Sequence, residues 1–164
     1  MSRKVTRKAT SNDVYKDLES ESKEKIDYIW KKSLGEISSQ TAADLVSKSY
    51  LAGEVGDHEA ALEYAEKAYR MTVQECGHWG VETLPVLGVM SVCYYNVKDY
   101  KMSERYAKRA RNLCDKLKGM EHPDTFFYFA WETNVGLFDF LADADPKQVE
   151  ELCDYYMKLH KGNR

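Results

Sequence analysis

Two stretches of the sequence, GDHEAALEYAEKA at residues 56–68 and KDYKMSERYAKRA at residues 98–110, are copies of one pattern. They lie 42 residues apart, an offset that aligns Asp57 with Asp99 near the start of each copy. Small residues recur in both at spacings of three and four, so they share one face of a helix. These small residues are Ala61, Ala65, Ala68, Ser103, Ala107 and Ala110. The pattern predicts two equivalent helices, each able to pack closely against a neighbouring helix.

The segments between the helical patterns repeat with the same period. Each has the form Gly-x5-Thr, and the three copies begin at Gly35, Gly77 and Gly119. Glycine can adopt the left-handed conformation that ends a helix, and threonine can cap the start of the next one. We therefore expect one helix to end at each glycine and another to begin at each threonine. The threonines concerned are Thr41, Thr83 and Thr125.

These signals predict an all-α fold, a helix-pair solenoid of about seven antiparallel helices with no sheet. Residues 12–164 are expected to form one domain, and residues 1–11 a basic, disordered tail. The domain divides into a half repeat (12–40), two repeats (41–82 and 83–124) and a diverged repeat or cap (125–164). In the half repeat, residues 12–33 are expected to form the outer helix of a unit whose inner helix is missing.

The composition limits the class of protein. The net charge is −3, with 43% apolar and 31% charged residues, which is typical of a folded globular protein. The longest uncharged run, residues 84–97, is shorter than the roughly 20 residues of a membrane span, and predicts a helix buried on most sides. Polar residues follow the basic start, so we expect no secretory signal. The four cysteines lack the paired spacing of zinc sites and predict reduced thiols in a cytoplasmic protein.

Familiar catalytic motifs do not occur in the sequence. None of its four histidines lies in an HExxH motif, and there is no GxSxG, Walker or Rossmann glycine pattern. Cys76 and His78 lie close together, but no second pair of ligands accompanies them, so we expect no metal site. The sequence favours a protein that is not an enzyme and that needs no cofactor.

One linker carries a longer motif, LKGMEHPDT at residues 117–125. Together with Asp99-Tyr100 and the small-residue helices, this motif resembles the tetratricopeptide repeat (TPR) family, in particular its kinesin light chain type with a 42-residue unit. The resemblance covers residues 35–145 and is strongest in the second repeat. The linker at residues 77–83 departs from the family pattern because it lacks His-Pro, and the last repeat has lost the small residues.

The resemblance implies a protein-binding module whose inner helices line a concave groove. The groove residues that it implies are Tyr50, Glu54, Val92, Tyr95, Asn96, Asn134 and Phe138. Asn134 is at a position where repeats of the kinesin light chain type often carry an asparagine that holds a peptide backbone. An amide suits this role because it can donate and accept hydrogen bonds at once. The alternative is that Tyr95 and Phe138 simply pack against neighbouring helices.

A second candidate surface is the basic helix of the second repeat. Residues 98–118 contain eight basic and three acidic residues, a net charge of +5 in a chain that is acidic overall. Lys101, Arg105, Lys108 and Arg109 can hold an acidic protein partner, although a solvated helix surface is the more ordinary explanation of such residues. Nucleic acid is a weaker candidate, since no aromatic platform accompanies the basic stripe.

The aromatic residues of the last repeat leave a structural role open. They crowd residues 126–131, and one helix cannot bury all of them on one face because successive residues point about 100° apart. A partner or the last helix would then cover some of them. The chain is therefore interpreted as a cytoplasmic adaptor or scaffold, or as a structural subunit of a larger cytoskeletal or ciliary assembly.

Overall fold

The computed structural model describes residues 11–161, and this part of the chain contains seven α-helices and no strand. The helices are α1 (Ser11–Glu36), α2 (Gln40–Glu54), α3 (His58–Cys76), α4 (Thr83–Asn96), α5 (Tyr100–Lys118), α6 (Pro123–Asp143) and α7 (Pro146–Lys161). The prediction of an all-helical chain with about seven helices is confirmed for these residues. The predicted disordered tail, apart from Ser11, lies outside the described residues.

The repeated capping signals act at the ends of α3 and α5. The carboxylates of Asp57 and Asp99 accept hydrogen bonds from the main-chain N–H groups of Ala60 and Met102, the third residue of each helix, at 3.1 and 3.2 Å. Gly77 and Gly119 end the same two helices with φ of 76° and 92°, as predicted. At Gly35 the prediction is off by one residue: α1 ends at Glu36, and Gly35 does not adopt a positive φ.

The threonines of the linkers have a different role from the predicted one. α4 begins at Thr83, as predicted, and Thr125 is the third residue of α6. Neither threonine is an N-cap: their hydroxyls donate back to the carbonyls of Gly77 and Gly119 at 2.7 and 2.8 Å. The predicted cap at Thr41 is also wrong, because the Ser39 side chain caps α2. The hydroxyls tie each linker to the following helix instead of capping it.

Consecutive helices from α2 to α6 pack against one another, and the two repeats share the same contact. The hydroxyl of Ser49 in α2 donates to the carbonyl of Ala61 in α3 at 2.7 Å. In the next repeat, Ser91 in α4 donates to the carbonyl of Ser103 in α5 at 2.8 Å. The small residues that the sequence placed on one face of α3 and α5 are all buried. Residues 83–93 of α4 are buried on every side, as expected for the uncharged run.

The two ends of the chain pack differently from the predicted repeats. α1 packs chiefly against α4, and also against α2, α6 and α7, so it is not the outer helix of a preceding unit. α7 packs against α1 together with the last turns of α6, and it does not form an antiparallel pair along α6. The reason lies in its side chains. Val149, Leu152 and Tyr156 occupy positions where α3 and α5 carry small or short residues, and these larger side chains pack in a cluster with Val14 and Leu18 of α1.

Candidate protein-interaction surfaces

The residues assigned to the groove do not form an open surface. Three of them are buried (Val92, Asn134 and Phe138), three are partly buried (Tyr50, Tyr95 and Asn96) and one is exposed (Glu54). The structure therefore brings most of these residues to the inner side of α2, α4 and α6. There they are covered by protein rather than by solvent.

Helix α1 covers this inner side. The ring of Trp30 packs edge-on against Tyr50 of α2, with centroids 5.4 Å apart. On α4, the Cγ2 atom of Ile29 lies 3.2 Å from where a Cβ atom on Gly88 would stand. The absence of a side chain at Gly88 thus allows α1 to approach α4 closely. We define the surface of α2, α4 and α6 that α1 covers as the inner face.

The contacts with α6 give the direction of α1. Tyr28 packs against Phe127 near the start of α6, at a centroid distance of 4.4 Å. Tyr15 packs against Phe138 near its end and donates a hydrogen bond to the carbonyl of Leu141 at 3.4 Å. Since earlier residues of α1 meet later residues of α6, the two helices run antiparallel. α1 therefore lies along the inner face over four turns.

Asn134 lies on α6 between Phe127 and Phe138, the two residues whose rings contact α1. The residue is 6% exposed, and its Nδ2 atom has no hydrogen-bond partner in the described part of the chain. A buried donor without a partner costs about 1–3 kcal/mol. The carbonyls of a helix such as α1 are bonded within the helix, whereas those of an extended peptide are available. The chemistry of Asn134 thus suits an occupant other than a helix.

Tyr95 is the centre of an aromatic cluster on the inner face. Its ring lies 5.6 Å from Tyr100, 5.5 Å from Trp131 and 5.2 Å from Phe138, measured between centroids. Burial among these rings raises the pKa of the Tyr95 hydroxyl. Tyr95 and Phe138 therefore pack against neighbouring helices, as the alternative interpretation expected.

The basic surface of α5 is smaller than predicted. Lys101, Arg105 and Lys108 are exposed and share one face. Arg109 does not belong to it, because its guanidinium donates to the Tyr69 hydroxyl at 2.5 Å and lies over an aromatic ring of α3. We call the three exposed residues the basic stripe. Acidic residues border it, and Lys101 lies 4.0 Å from Asp143 of α6.

A pocket of about 240 Å³ lies between the linker that follows α3 and the outer side of α5. The residues lining it are His78, Trp79, Leu87, Arg109, Asn112 and Leu113. Its polar groups are an imidazole, an amide and a guanidinium, which can hold an anion but include no hydroxyl or thiol nucleophile. The guanidinium of Arg109 is already bonded to Tyr69.

The inner side of α1 is the part of the site that the sequence analysis missed. Its buried residues are Val14, Leu18, Ser22, Ile29, Trp30 and Ser33. Apart from the adjacent pair Ile29 and Trp30, they recur at spacings of three, four and seven, which are typical of one helix face and can be found in the sequence. The surface that this face packs against could not be predicted from the spacing, because one apolar face fits many surfaces.

Every helix among residues 11–161 is too short or too polar to cross a membrane. In the same part of the chain, no three His, Cys, Asp or Glu side chains come together as a group able to hold a metal ion. Comparison of the chain with family models, with curated proteins and with solved structures gives no significant match.

Proposed function

We propose that this chain is a non-enzymatic protein-interaction module, a short TPR-like solenoid that acts as an adaptor or scaffold. The observation that carries the proposal is the seating of α1, a 26-residue helix, on the residues assigned to ligand binding. The two helix pairs with the same serine-to-carbonyl contact support the TPR-like arrangement.

The contacts of α1 with the inner face are of the kinds that a protein ligand makes, except at Asn134, whose Nδ2 atom has no partner in the described part of the chain. They combine ring packing at Trp30, close approach at Ile29, and a hydrogen bond from Ser33 to the carbonyl of Pro85 at 3.2 Å. An ion pair from Lys32 to Asp124 at 2.5 Å adds charge specificity. A protein partner can reach the inner face by replacing α1, and it can reach the basic stripe directly.

A structural subunit of a larger assembly, cytoskeletal or ciliary, is the second candidate function. The observation that favours it is the exposure of three phenylalanines on α6, Phe126, Phe129 and Phe140. Exposed apolar patches on a helical protein commonly mark protein contacts. Both functions require a protein partner and differ in whether the contact is permanent.

Site-specific photo-crosslinking in cells of the source organism tests the proposal. A photoreactive amino acid replaces Glu54 at the edge of the inner face, Arg105 in the basic stripe, or Phe129 on α6. The matched control replaces Glu63, which is exposed on α3 and belongs to none of these surfaces. We expect a discrete protein adduct at one or more of the three sites and none at Glu63. The proposal is wrong if no site gives an adduct, or if all four give the same one.

A further inference from the structure

The outward face of α6 carries a row of exposed aromatic residues. Phe126 is 60% exposed, Phe129 is 57% exposed, and Phe140 is 44% exposed. Thr133, between Phe129 and Phe140, is also exposed. These four positions share one side of the helix by their spacing. We call them the α6 face.

The equivalent side chains of the preceding repeat are buried. The residues 42 positions before Phe126 and Phe129 are Leu84 and Leu87 of α4, which are 2% and 1% exposed. Both pack in a cluster with Ala110 of α5. Because the repeats share one helix-to-helix contact, the α6 face corresponds to the side of α4 that α5 covers.

Side-chain hydroxyls at equivalent positions of α2, α4 and α6 show the same correspondence between the repeats. Ser49 and Ser91 each donate to a carbonyl near the start of the helix that follows, at 2.7 and 2.8 Å. Thr133 is the next residue in this series of 42-residue steps, and its hydroxyl donates instead to the carbonyl of Phe129 in its own helix, at 3.0 Å. The donor is present, whereas a facing helix is missing among residues 11–161.

The chain's own last helix is unsuited to this place. An outer helix of this type needs small residues, such as Ala107 and Ala110 in α5, where it meets the inner helix. The corresponding residues of α7 include Val149 and Leu152, which pack in the cluster with α1. A helix with larger side chains at these positions cannot approach α6 as α5 approaches α4.

We propose that the α6 face binds an amphipathic helix of a partner protein, which carries small residues at spacings of four and three and packs on α6 as α5 packs on α4. This inference rests on the proposed function, since it names one surface and one kind of partner for a protein-interaction module. The bound helix runs antiparallel to α6 and offers a main-chain carbonyl of its first turns to Thr133.

The charges beside the α6 face favour a basic partner helix. α6 contains no Lys, Arg or His. On the edge that faces α5, Glu132 is paired with Arg111 at 2.5 Å, whereas Asp139 lies near the carboxylate of Glu104. Glu104 of α5 lies beside them: burial and then the charges of Asp139 and Glu132 raise its pKa, while Lys108 acts in the opposite direction. A partner helix with Lys or Arg along this edge relieves the repulsion between Glu104 and Asp139.

A peptide that copies residues 99–118 is the probe, with Cys114→Ser to prevent oxidation. It has the small-residue stripe of α5 and a net charge of +4, from seven basic and three acidic residues. The full chain is labelled with 4-fluorophenylalanine at its five phenylalanines and is observed by fluorine NMR. Phe126, Phe129 and Phe140 report on the α6 face, whereas Phe127 and Phe138 report on the inner face and serve as an internal control.

We expect the peptide to shift the three resonances of the α6 face and to leave those of Phe127 and Phe138 unchanged. Combining Phe126→Ala with Phe129→Ala should weaken binding at least about tenfold, since central aromatic side chains dominate such contacts. Tyr155→Ala, a change at another exposed aromatic residue, should alter it less than about twofold. A peptide with Ala107→Leu and Ala110→Leu should bind at least about tenfold more weakly, because larger side chains prevent close approach.

Three results would overturn the inference. Shifts at Phe127 and Phe138 would mean that the peptide replaces α1 on the inner face. An absence of shifts at millimolar peptide would mean that the face does not bind such a helix. Concentration-dependent shifts of the three resonances without peptide would assign the face to a second copy of the chain. In each of these cases the crosslinking test of the proposed function remains independent, because it also samples Glu54 and Arg105.

Discussion

The Nζ atom of Lys32 lies 2.5 Å from the Oδ2 atom of Asp124, and this ion pair joins the last turns of α1 to the first turn of α6. Lys118, at the end of α5, approaches the same carboxylate oxygen at 2.5 Å. One carboxylate thus holds three helices together. Burial alone would raise the pKa of Asp124, but the hydrogen bonds and charges of Lys118 and Lys32 lower it to about 2.

The stabilisation by Asp124 should depend on pH. A carboxyl whose pKa falls on folding stabilises the native state above its unfolded pKa, here 3.8, and loses that effect as the pH falls toward 2. Asp124→Asn should therefore lower the melting temperature at pH 6, and the difference from the wild type should shrink between pH 4 and pH 2. Thermal unfolding followed by circular dichroism measures this. A difference that is constant from pH 6 to pH 2 would contradict it.

Gly119 should be the costlier of two glycines to replace. Its φ of 92° and ψ of 160° are strained for other residues, although a Cβ atom there would meet no other atom within 4 Å. Gly119→Ala should reduce the free energy of unfolding by about 1–3 kcal/mol through the backbone alone. Gly35→Ala is the matched control, because Gly35 is the penultimate residue of α1 and has equal space around it. This change should raise the free energy of unfolding by no more than about 0.5–1 kcal/mol. Urea denaturation distinguishes them, and equal effects would contradict the assignment of both conformations.

Ala65 and Ala107 should be equivalent sites of close helix packing. Both are fully buried and lie 42 residues apart on the small-residue faces of α3 and α5. Ala65→Leu and Ala107→Leu should each cost about 1–3 kcal/mol of unfolding free energy, since the added atoms overpack the contact. Lys67→Leu and Lys108→Leu are exposed controls on the same helices and should be nearly neutral. If one alanine tolerates leucine and the other does not, the two repeats are not equivalent.

Gly88 should control the attachment of α1. A Cβ atom added at this position would stand 3.2 Å from Ile29 and 3.6 Å from the Tyr128 ring, so Gly88→Val should push α1 outward. We expect faster amide hydrogen exchange along α1 than in the wild type, with a smaller change in α3. Gly53→Val is the control, because no other atom lies within 4 Å of a Cβ atom at that glycine. Exchange that rises equally in every helix would show global destabilisation instead.

The positions of the helices could be predicted from the sequence because their signals are local. The Asp57 and Asp99 caps, the glycines at the ends of α3 and α5, and the three- and four-residue spacing of small side chains each involve a few neighbouring residues. Chain stereochemistry limits the backbone conformations and helix positions that such residues adopt, so the pattern alone indicated two equivalent helix pairs. At Gly35 the pattern gave the end of α1 to within one residue, but this glycine does not adopt the positive φ of Gly77 and Gly119.

The places of α1 and α7 were decided by the tertiary structure. An apolar face such as that of Ile29 and Trp30 can pack against any matching surface. Its surface here comes mainly from α4, which is distant in sequence, with smaller parts from α2 and α6. Because α1 lies on the inner face, the large side chains of α7 pack against α1 and the last turns of α6, and the α6 face remains exposed. The groove residues were identified by their positions on inner helices, but their burial depends on which helix covers them. Such coverage follows from complementary shape across the whole fold, which no local pattern encodes.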